Sequence, residues 1–548
     1  MKLSQPLPTF RIGISSLILL ISLCATLLYN LAFFRNTMAV FTIANGGLPF
    51  LISLGVFLFA LTVLLFSVLC LRYATKPVLI LVILGAAFAN YFMNSFNVVI
   101  DTNMINNIVL TDSGEVADLL NPGMLAELFL LGIVPAFVIL RTRIDCSTFG
   151  KAIRDRLKLQ ALALVLIVVS IAPFTSYYTS FFREHKILRY YANPATFIYS
   201  TAKYLEMTFA EADATARSLL GLDARIPATD NDRELVILVI GEAARADRFS
   251  LNGYKRKTNP LLEQENVISF TNVTSCGTAT AYSVPCMFSG IKREDFDLNA
   301  ARTSENLLDV LQHAGVNVLW RDNNSDSKGV TEATAFESFK SPDTNSMCDD
   351  ECRDIGMLNG LDDFIAAKPN GDIVIVLHQM GNHGPAYAKR YPADFERFTP
   401  ACHSSQLENC SKEEIGNAYD NAILYTDYFL SEVIRLLEGY DDKFETAMYY
   451  MSDHGESLGE NGLYLHGLPW LLAPDTQKHV ASLVWFGNTY MANREAIKAR
   501  ADDELSHDNY FHTVLGLLEI QTEMYDPTLD LIVHKGEAER PLGEITAD

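Results

Sequence analysis

The 548 residues are too many for one ordinary domain, and the hydrophobic share of 49% is so unevenly spread that the first third reads as membrane and the remainder as soluble protein. Residues 1–178 carry 11 basic and 7 acidic side chains, whereas 179–548 carry 32 and 58, a formal balance of +4 against −26. Acidity on that scale excludes nucleic acid as a partner of the second part, because phosphate binding needs a basic face.

Five apolar runs lie near 14–34, 49–71, 77–100, 124–140 and 159–178, each close to the roughly 20 residues a helix needs to cross a bilayer core. Arg72 and Lys76 stand between the second and third runs, and Arg141, Arg143, Lys151, Arg154, Arg156 and Lys158 between the fourth and fifth. The alternate loops hold only Arg35 and, over 101–123, no Lys or Arg. Positive charge resists translocation, so the N-terminus is expected in the cytoplasm and everything after the fifth span on the opposite side. A cleaved signal peptide is the alternative for the first run; its apolar stretch is longer than such peptides carry and ends without a small-x-small site, which favours a retained anchor.

After the fifth run, Phe181, Phe182, Tyr190, Tyr191, Phe197, Tyr199 and Tyr204 mingle with Arg183, Lys186 and Arg189, a composition suited to a membrane surface. "GLDARIPATDNDR" then reads as a linker. The expected division is a transmembrane domain with five spans over 1–178, interfacial helices and linker over 179–230, and a catalytic domain over 231–548. In that last part unbroken apolar runs at 235–240, 316–320, 372–378, 446–451 and 481–486 alternate with helical sequence, the pattern of an α/β fold with a mainly parallel, two-sidedly buried sheet.

Six cysteines come as close pairs: Cys276 with Cys286, Cys348 with Cys352, and Cys402 with Cys410. Six allow 15 pairings; adjacency favours nearest-neighbour disulfides in an oxidising compartment, and a cysteine zinc site finds no CxxC to support it. Cys24, Cys70 and Cys146 fall in spans or the cytoplasmic loop.

Polar, ligand-capable residues follow four of the strands at once: Gly241-Glu242, Asp322-Asn323-Asn324, Gly381-Asn382-His383 and Ser452-Asp453-His454-Gly455. Open α/β sheets bind ligands beyond the carboxyl ends of their strands, so the four nominate one rim. A lone Asp-His before glycine is more simply a helix-capping turn. Joined by Glu242, Asp453 and His454 make three of the four ligands of a tetrahedral zinc site, with water or a hydroxyl as the fourth. Hydroxyls crowd "SCGTATAYSVPCMFS" (275–289), where Thr278, Thr280 and Ser283 could cap a helix. Coordination would instead turn one of them into a nucleophile, and the residues alone reach a membrane-tethered metallohydrolase or transferase.

"VIGEAARADRFSLNGY" (239–254), "SCGTATAYSVPCMFS" (275–289), "HQMGNHGP" (378–385) and "SDHGESLGENGLYLHGLP" (452–469) together resemble the lipid A phosphoethanolamine transferases, which include the mobile colistin-resistance enzymes. The resemblance runs over essentially the whole chain. It implies an alkaline-phosphatase/sulfatase-like domain in the periplasm, anchored in the bacterial inner membrane. It implies zinc ligands Glu242, Thr280, Asp453 and His454, with Thr280 the nucleophile, and a phosphoethanolamine pocket of Thr278, Asn324, Lys328, His383 and His466. One tightly bound Zn²⁺ is expected, with a second on His383 and His466 left open. Phosphatidylethanolamine would be the donor, lipid A the acceptor, and polymyxin resistance the consequence, in a protein expected to be monomeric. One departure stands out: where relatives often carry "SGCKGVC", this chain has "SDSKGVT", with Ser327 and Thr331 at both cysteine positions, which removes a clamp from the Lys328 loop.

The alternatives within this class are a core-oligosaccharide acceptor or a transferred phosphoglycerol. Outside it stands an inactive membrane-anchored module that binds lipid headgroups. A sulfatase of the soluble type is disfavoured, since no "CxPxR" or "SxPxR" element occurs.

Overall fold

A computed structural model describes residues 11–43, 47–71, 73–111, 116–117, 119–145, 148–212, 217–230, 232–532 and 534. Arg72 and Cys146, used above for topology and cysteine placement, lie outside the described residues. The chain forms two compact units, the first taking the sequence up to Ile105 together with Leu120–Glu206, the second Asn106–Leu119 and the sequence from Met207 onward.

Within the first unit, Leu48–Leu69, Thr75–Ser95, Pro122–Arg141 and Phe149–Arg183 are long and apolar enough to cross a membrane. Ile14–Leu28 and Leu31–Val40 make a fifth span if the pair, bent by 54°, is counted as one. The bend falls at Asn30, whose Nδ2 donates to Ala25 O at 2.9 Å and so competes with the helical ladder. Leu81, Leu130 and Val168 point outward with 71, 61 and 64% exposure, a surface that is stable only in an apolar solvent.

The second unit is built on an eight-stranded sheet among its described residues. Its strands are β1 (Glu234–Gly241), β2 (Ile268–Thr274), β3 (Asn317–Asp322), β4 (Ala335–Ser338), β5 (Ile373–His378), β6 (Glu445–Ser452), β7 (His479–Phe486) and β8 (Leu505–Ser506). They lie in the order β8-β2-β7-β6-β1-β5-β3-β4. β1 runs parallel to β5 and β6, and β3 parallel to β4 and β5, while β7 is antiparallel to β6 and β2. The sheet is therefore mixed but mostly parallel. Leu235 to Ile240 and Ile373 to Leu377 are fully buried, as strands covered on both faces must be.

Register decides where chemistry can collect. Gly241 pairs with Ser452, and Ile240 and Asp322 both pair with His378, so β6, β1, β5 and β3 end side by side. Two helices complete the frame. α1 (Thr280–Ser289) follows the hydroxyl-rich loop, and α2 (Lys412–Glu438) starts from a capping box in which Ser411 Oγ accepts from Glu414 N–H while the Glu414 carboxylate accepts from Ser411 N–H. Disulfides join Cys276 to Cys286, Cys348 to Cys352 and Cys402 to Cys410.

Candidate active site

Glu242 and Asp453 each follow a parallel strand directly, and the pairing of Gly241 with Ser452 brings their side chains together. The turn after β1 is tight. Ala243 has φ +55°, a left-handed conformation that a residue with a Cβ adopts only when its surroundings enforce it. Those surroundings are Tyr419 of α2, whose hydroxyl donates to Ala243 O at 2.6 Å and accepts from Arg245 N–H at 3.0 Å. Behind Glu242, Gly381 has φ +49°, and a Cβ there would lie 3.0–3.1 Å from Glu242 backbone atoms.

Glu242, Asp453 and His454 each offer a ligand atom within 4.8 Å of the other two, and all three are buried. His454 Nδ1–H donates to Gly455 O at 2.8 Å, which turns Nε2 toward the carboxylates. Asp453 Oδ1 accepts from Ala243 N–H and His454 N–H, at 3.1 and 2.7 Å. The remaining oxygens, Glu242 Oε1 and Asp453 Oδ2, have no hydrogen-bond partner among the described residues; they lie 3.2 and 3.4 Å from His454 Nε2.

Thr280 opens α1, whose N-cap is Ala279, so the threonine hydroxyl is not spent on capping. Its Oγ1 donates to Glu242 Oε2 at 3.0 Å and lies 3.3 Å from His454 Nε2. Asn324, beyond β3, donates to the same Glu242 oxygen at 2.8 Å and to Gln379 O at 2.7 Å. His466 is in ring contact with His454 at 4.2 Å and with His383 at 5.6 Å, centroid to centroid.

Electrostatics mark this cluster as a place for positive charge. Burial alone would push the His454 imidazole down, yet Asp453 and Glu242 overcome it and raise its pKa to about 10. Burial would raise Glu242, but His454 foremost, with His383 and His466, holds it well below the usual carboxylate range. Asp453 is raised to about 6 by burial and by the neighbouring Glu242. Two carboxylate oxygens unpartnered among the described residues, an imidazole nitrogen and a hydroxyl converging in one buried cluster fit a tetrahedral divalent cation of the zinc type.

Two other residues expected at the pocket spend their polar groups elsewhere. Thr278 Oγ1 donates to Leu468 O at 2.6 Å, fastening the 275–280 loop to the segment after His466. Lys328 is buried, with φ +56°, and its ammonium donates to Ser325 Oγ at 2.7 Å. Its loop is closed by the Ser327 and Thr331 hydroxyls, which meet at 2.7 Å.

Sequence reading missed the supports. Glu456 resembles another ligand in the 452–469 stretch, but its Oε2 accepts from His466 Nδ1–H at 2.9 Å and its Oε1 from Tyr387 OH at 3.1 Å. Glu460 instead forms an ion pair with Arg245 at 2.6 Å. His507, at the start of a helix far along the chain, accepts from Cys276 N–H at Nδ1 and donates from Nε2 to Ser452 O, both at 3.0 Å. It thereby ties the loop before Thr280 to the strand before Asp453, and burial, pushing its pKa down to about 3, keeps it neutral. No local sequence signal distinguishes these residues from surface polar ones.

The family model described as "Phosphoethanolamine transferase EptA/EptB" matches residues 58–209, and that described as "Sulfatase" matches 234–520. The chain is 42% identical over 532 residues to the phosphatidylethanolamine transferase Mcr-1 of Escherichia coli, covering 94% of this chain and 97% of that one. It is 37% identical over 525 residues to the phosphoethanolamine transferase EptA of Escherichia coli K12, covering 93% and 94%. The integral membrane protein lipooligosaccharide phosphoethanolamine transferase A of Neisseria meningitidis has the same fold, with a TM-score of 0.90 at 34% identity over 96% of this chain and 99% of that chain. Matches of this length over both units establish that the chain belongs to the phosphoethanolamine transferase family, as an EptA-type integral membrane protein with a sulfatase-like domain.

Proposed function

We propose that the protein transfers phosphoethanolamine from phosphatidylethanolamine to a phosphate of lipid A by way of Thr280. The observation that carries this reading is the convergence of Thr280 Oγ1 with Glu242, Asp453 and His454 at the carboxyl ends of adjacent strands. Residues 1–178 serve as the anchor in the bacterial inner membrane, 179–230 lie at its surface, and the catalytic part from 231 onward works in the periplasm.

Glu242, Thr280, Asp453 and His454 would hold one Zn²⁺, which supplies Lewis acidity that makes the threonine hydroxyl nucleophilic near neutral pH. Thr280 Oγ1 forms the new bond to phosphorus while the bond from phosphorus to the diacylglycerol oxygen breaks. The threonine proton passes to Glu242 Oε2, to which Thr280 Oγ1 already donates, and ends on the departing diacylglycerol oxygen. A lipid A phosphate oxygen then attacks the same phosphorus and Thr280 Oγ1 leaves. The positive dipole end of α1 favours a negatively charged phosphoryl group beside Thr280. Asn324 holds Glu242 in place, and His383 with His466 supply further polar groups beside the phosphoryl group and form the candidate second cation site.

Donor and acceptor are both membrane lipids, so an anchor supplies the proximity that an acidic catalytic part cannot gain by long-range attraction. Adding a cationic ethanolamine to lipid A reduces surface negative charge and with it the binding of polymyxin. Mass spectrometry of lipid A from a sensitive host expressing the protein tests this: lipid A carrying phosphoethanolamine is expected, and unmodified lipid A beside a modified core oligosaccharide would replace the acceptor.

A further inference from the structure

The first unit contains a cavity of about 470 Å³, within the range of roughly 300–1,000 Å³ typical of small-molecule sites. One wall is a single face of the helix Leu48–Leu69, where Leu54, Leu58 and Leu61 follow one another at helical spacing. The floor is aromatic, with Phe33 and Phe181 in edge contact at 6.0 Å. The polar side chains of its lining, Arg189, Tyr190, Thr196 and Tyr199, all come from the segment after the last span.

Arg189 sets the chemistry of that side. Its guanidinium lies over the Tyr190 ring at 5.2 Å and forms no salt bridge among the described residues. Its backbone carbonyl accepts from Thr196 Oγ1 at 3.1 Å, which fixes the chain there. On the topology read from the loops, Arg189 follows the last span and lies on the side where Lys and Arg are ordinarily scarce. A guanidinium kept there without a carboxylate partner, on the polar side of an apolar groove, matches a phosphodiester at headgroup depth. From Leu54 to Leu61 the wall descends by roughly 10 Å, at 1.5 Å per residue, into an apolar core about 30 Å thick.

We propose that this groove binds a glycerophospholipid, one acyl chain against Phe57, Leu61 and Phe182 and the phosphodiester on Arg189. The site goes beyond the transfer reaction, since it rests on none of the chemistry assigned to Thr280. Phosphatidylethanolamine and phosphatidylglycerol share the phosphodiester, so both are expected to bind, whereas diacylglycerol lacks it.

Native mass spectrometry of the full chain in non-ionic detergent, with phosphatidylethanolamine, phosphatidylglycerol or diacylglycerol of matched chains added, tests the proposal. Both phospholipids are expected to stay bound and diacylglycerol to bind at least about tenfold more weakly. Arg189→Glu, at the exposed rim, should remove the preference for phospholipid; Leu61→Trp should weaken all three lipids by filling the groove; Thr280→Ala should retain phosphatidylglycerol as the native chain does. Diacylglycerol retained as firmly as the phospholipids, or Arg189→Glu binding like the native chain, would overturn the assignment. So would retention of phosphatidylethanolamine alone that disappears in Thr280→Ala, which would place the lipid at the transfer site.

Discussion

Thr280 Oγ1 donates a 3.0 Å hydrogen bond to Glu242 Oε2, joining the start of a helix to the end of a strand 38 residues earlier. That bond aims the hydroxyl at the carboxylate–imidazole cluster. Thr280→Ala is expected to lower turnover of a fluorescent phosphatidylethanolamine by about a thousandfold or more, whereas Thr280→Ser retains a hydroxyl and loses about tenfold. Peptide mass spectrometry should find phosphoethanolamine on residue 280 only when it bears a hydroxyl. Native turnover in Thr280→Ala would remove threonine from the mechanism.

The two carboxylate oxygens facing His454 Nε2, without hydrogen-bond partners among the described residues, predict a tightly held divalent ion. Elemental analysis of the purified chain should give about one zinc, and Glu242→Gln or Asp453→Asn should each reduce it severalfold. Chelation should abolish transfer and added zinc restore it. Undiminished activity after complete stripping would end the metal proposal.

Glu456 and Tyr387 should act through His466, which Glu456 Oε2 holds at 2.9 Å. Carboxylates that orient an active-site imidazole are worth about 10- to 100-fold in activity, so Glu456→Gln is expected to lose that much while Tyr387→Phe loses less. Holding zinc content unchanged distinguishes this from loss of the primary ion site. A Glu456→Gln enzyme with native turnover would leave the carboxylate a merely structural role.

The hydroxyls of Ser327 and Thr331 clamp the Lys328 loop by one hydrogen bond. Ser327→Ala should cost about 1 kcal/mol, and Ser327→Cys with Thr331→Cys, oxidised, should raise the thermal midpoint. Unchanged free-thiol content in that double variant would show that the loop cannot close a disulfide.

Far from these ends, Glu234 at the start of β1 is buried beside Asp372, and burial first, then Asp372 and Asp230, pushes its pKa far above the ordinary range. A folded pKa above the unfolded one means that the fold prefers the protonated acid. Its favourable contribution is complete below the ordinary value of 4.5 and is lost as pH rises toward the folded value. Glu234→Gln should therefore gain on the native chain as pH goes from 5 to 9, by at most about 1.4 kcal/mol per pH unit. Parallel thermal midpoints across that range would contradict the buried acid pair.

β1, β3, β5, β6 and β7 were legible as unbroken apolar runs because burial on both faces leaves no room for alternation. β2 escaped notice because its partly exposed positions interrupt the apolar run, β4 because all four of its residues are exposed, and β8 because it has only two. Glu242, Asn324, Asp453 and His454 stood out because polar residues directly after buried strands have few other places to go.

Local sequence by itself determined the apolar spans, the central strands and the kinds of side chain available at their ends. Tertiary structure decided how those side chains were spent: Glu456 on His466, Glu460 on Arg245, Thr278 on Leu468, and Thr280 on Glu242. The physical reason is that composition and periodicity report burial, a property of each residue's own surroundings. A hydrogen bond or a shared cation depends on strand register and on contacts between residues as far apart as Glu242 and Asp453, which only the paired sheet brings within reach.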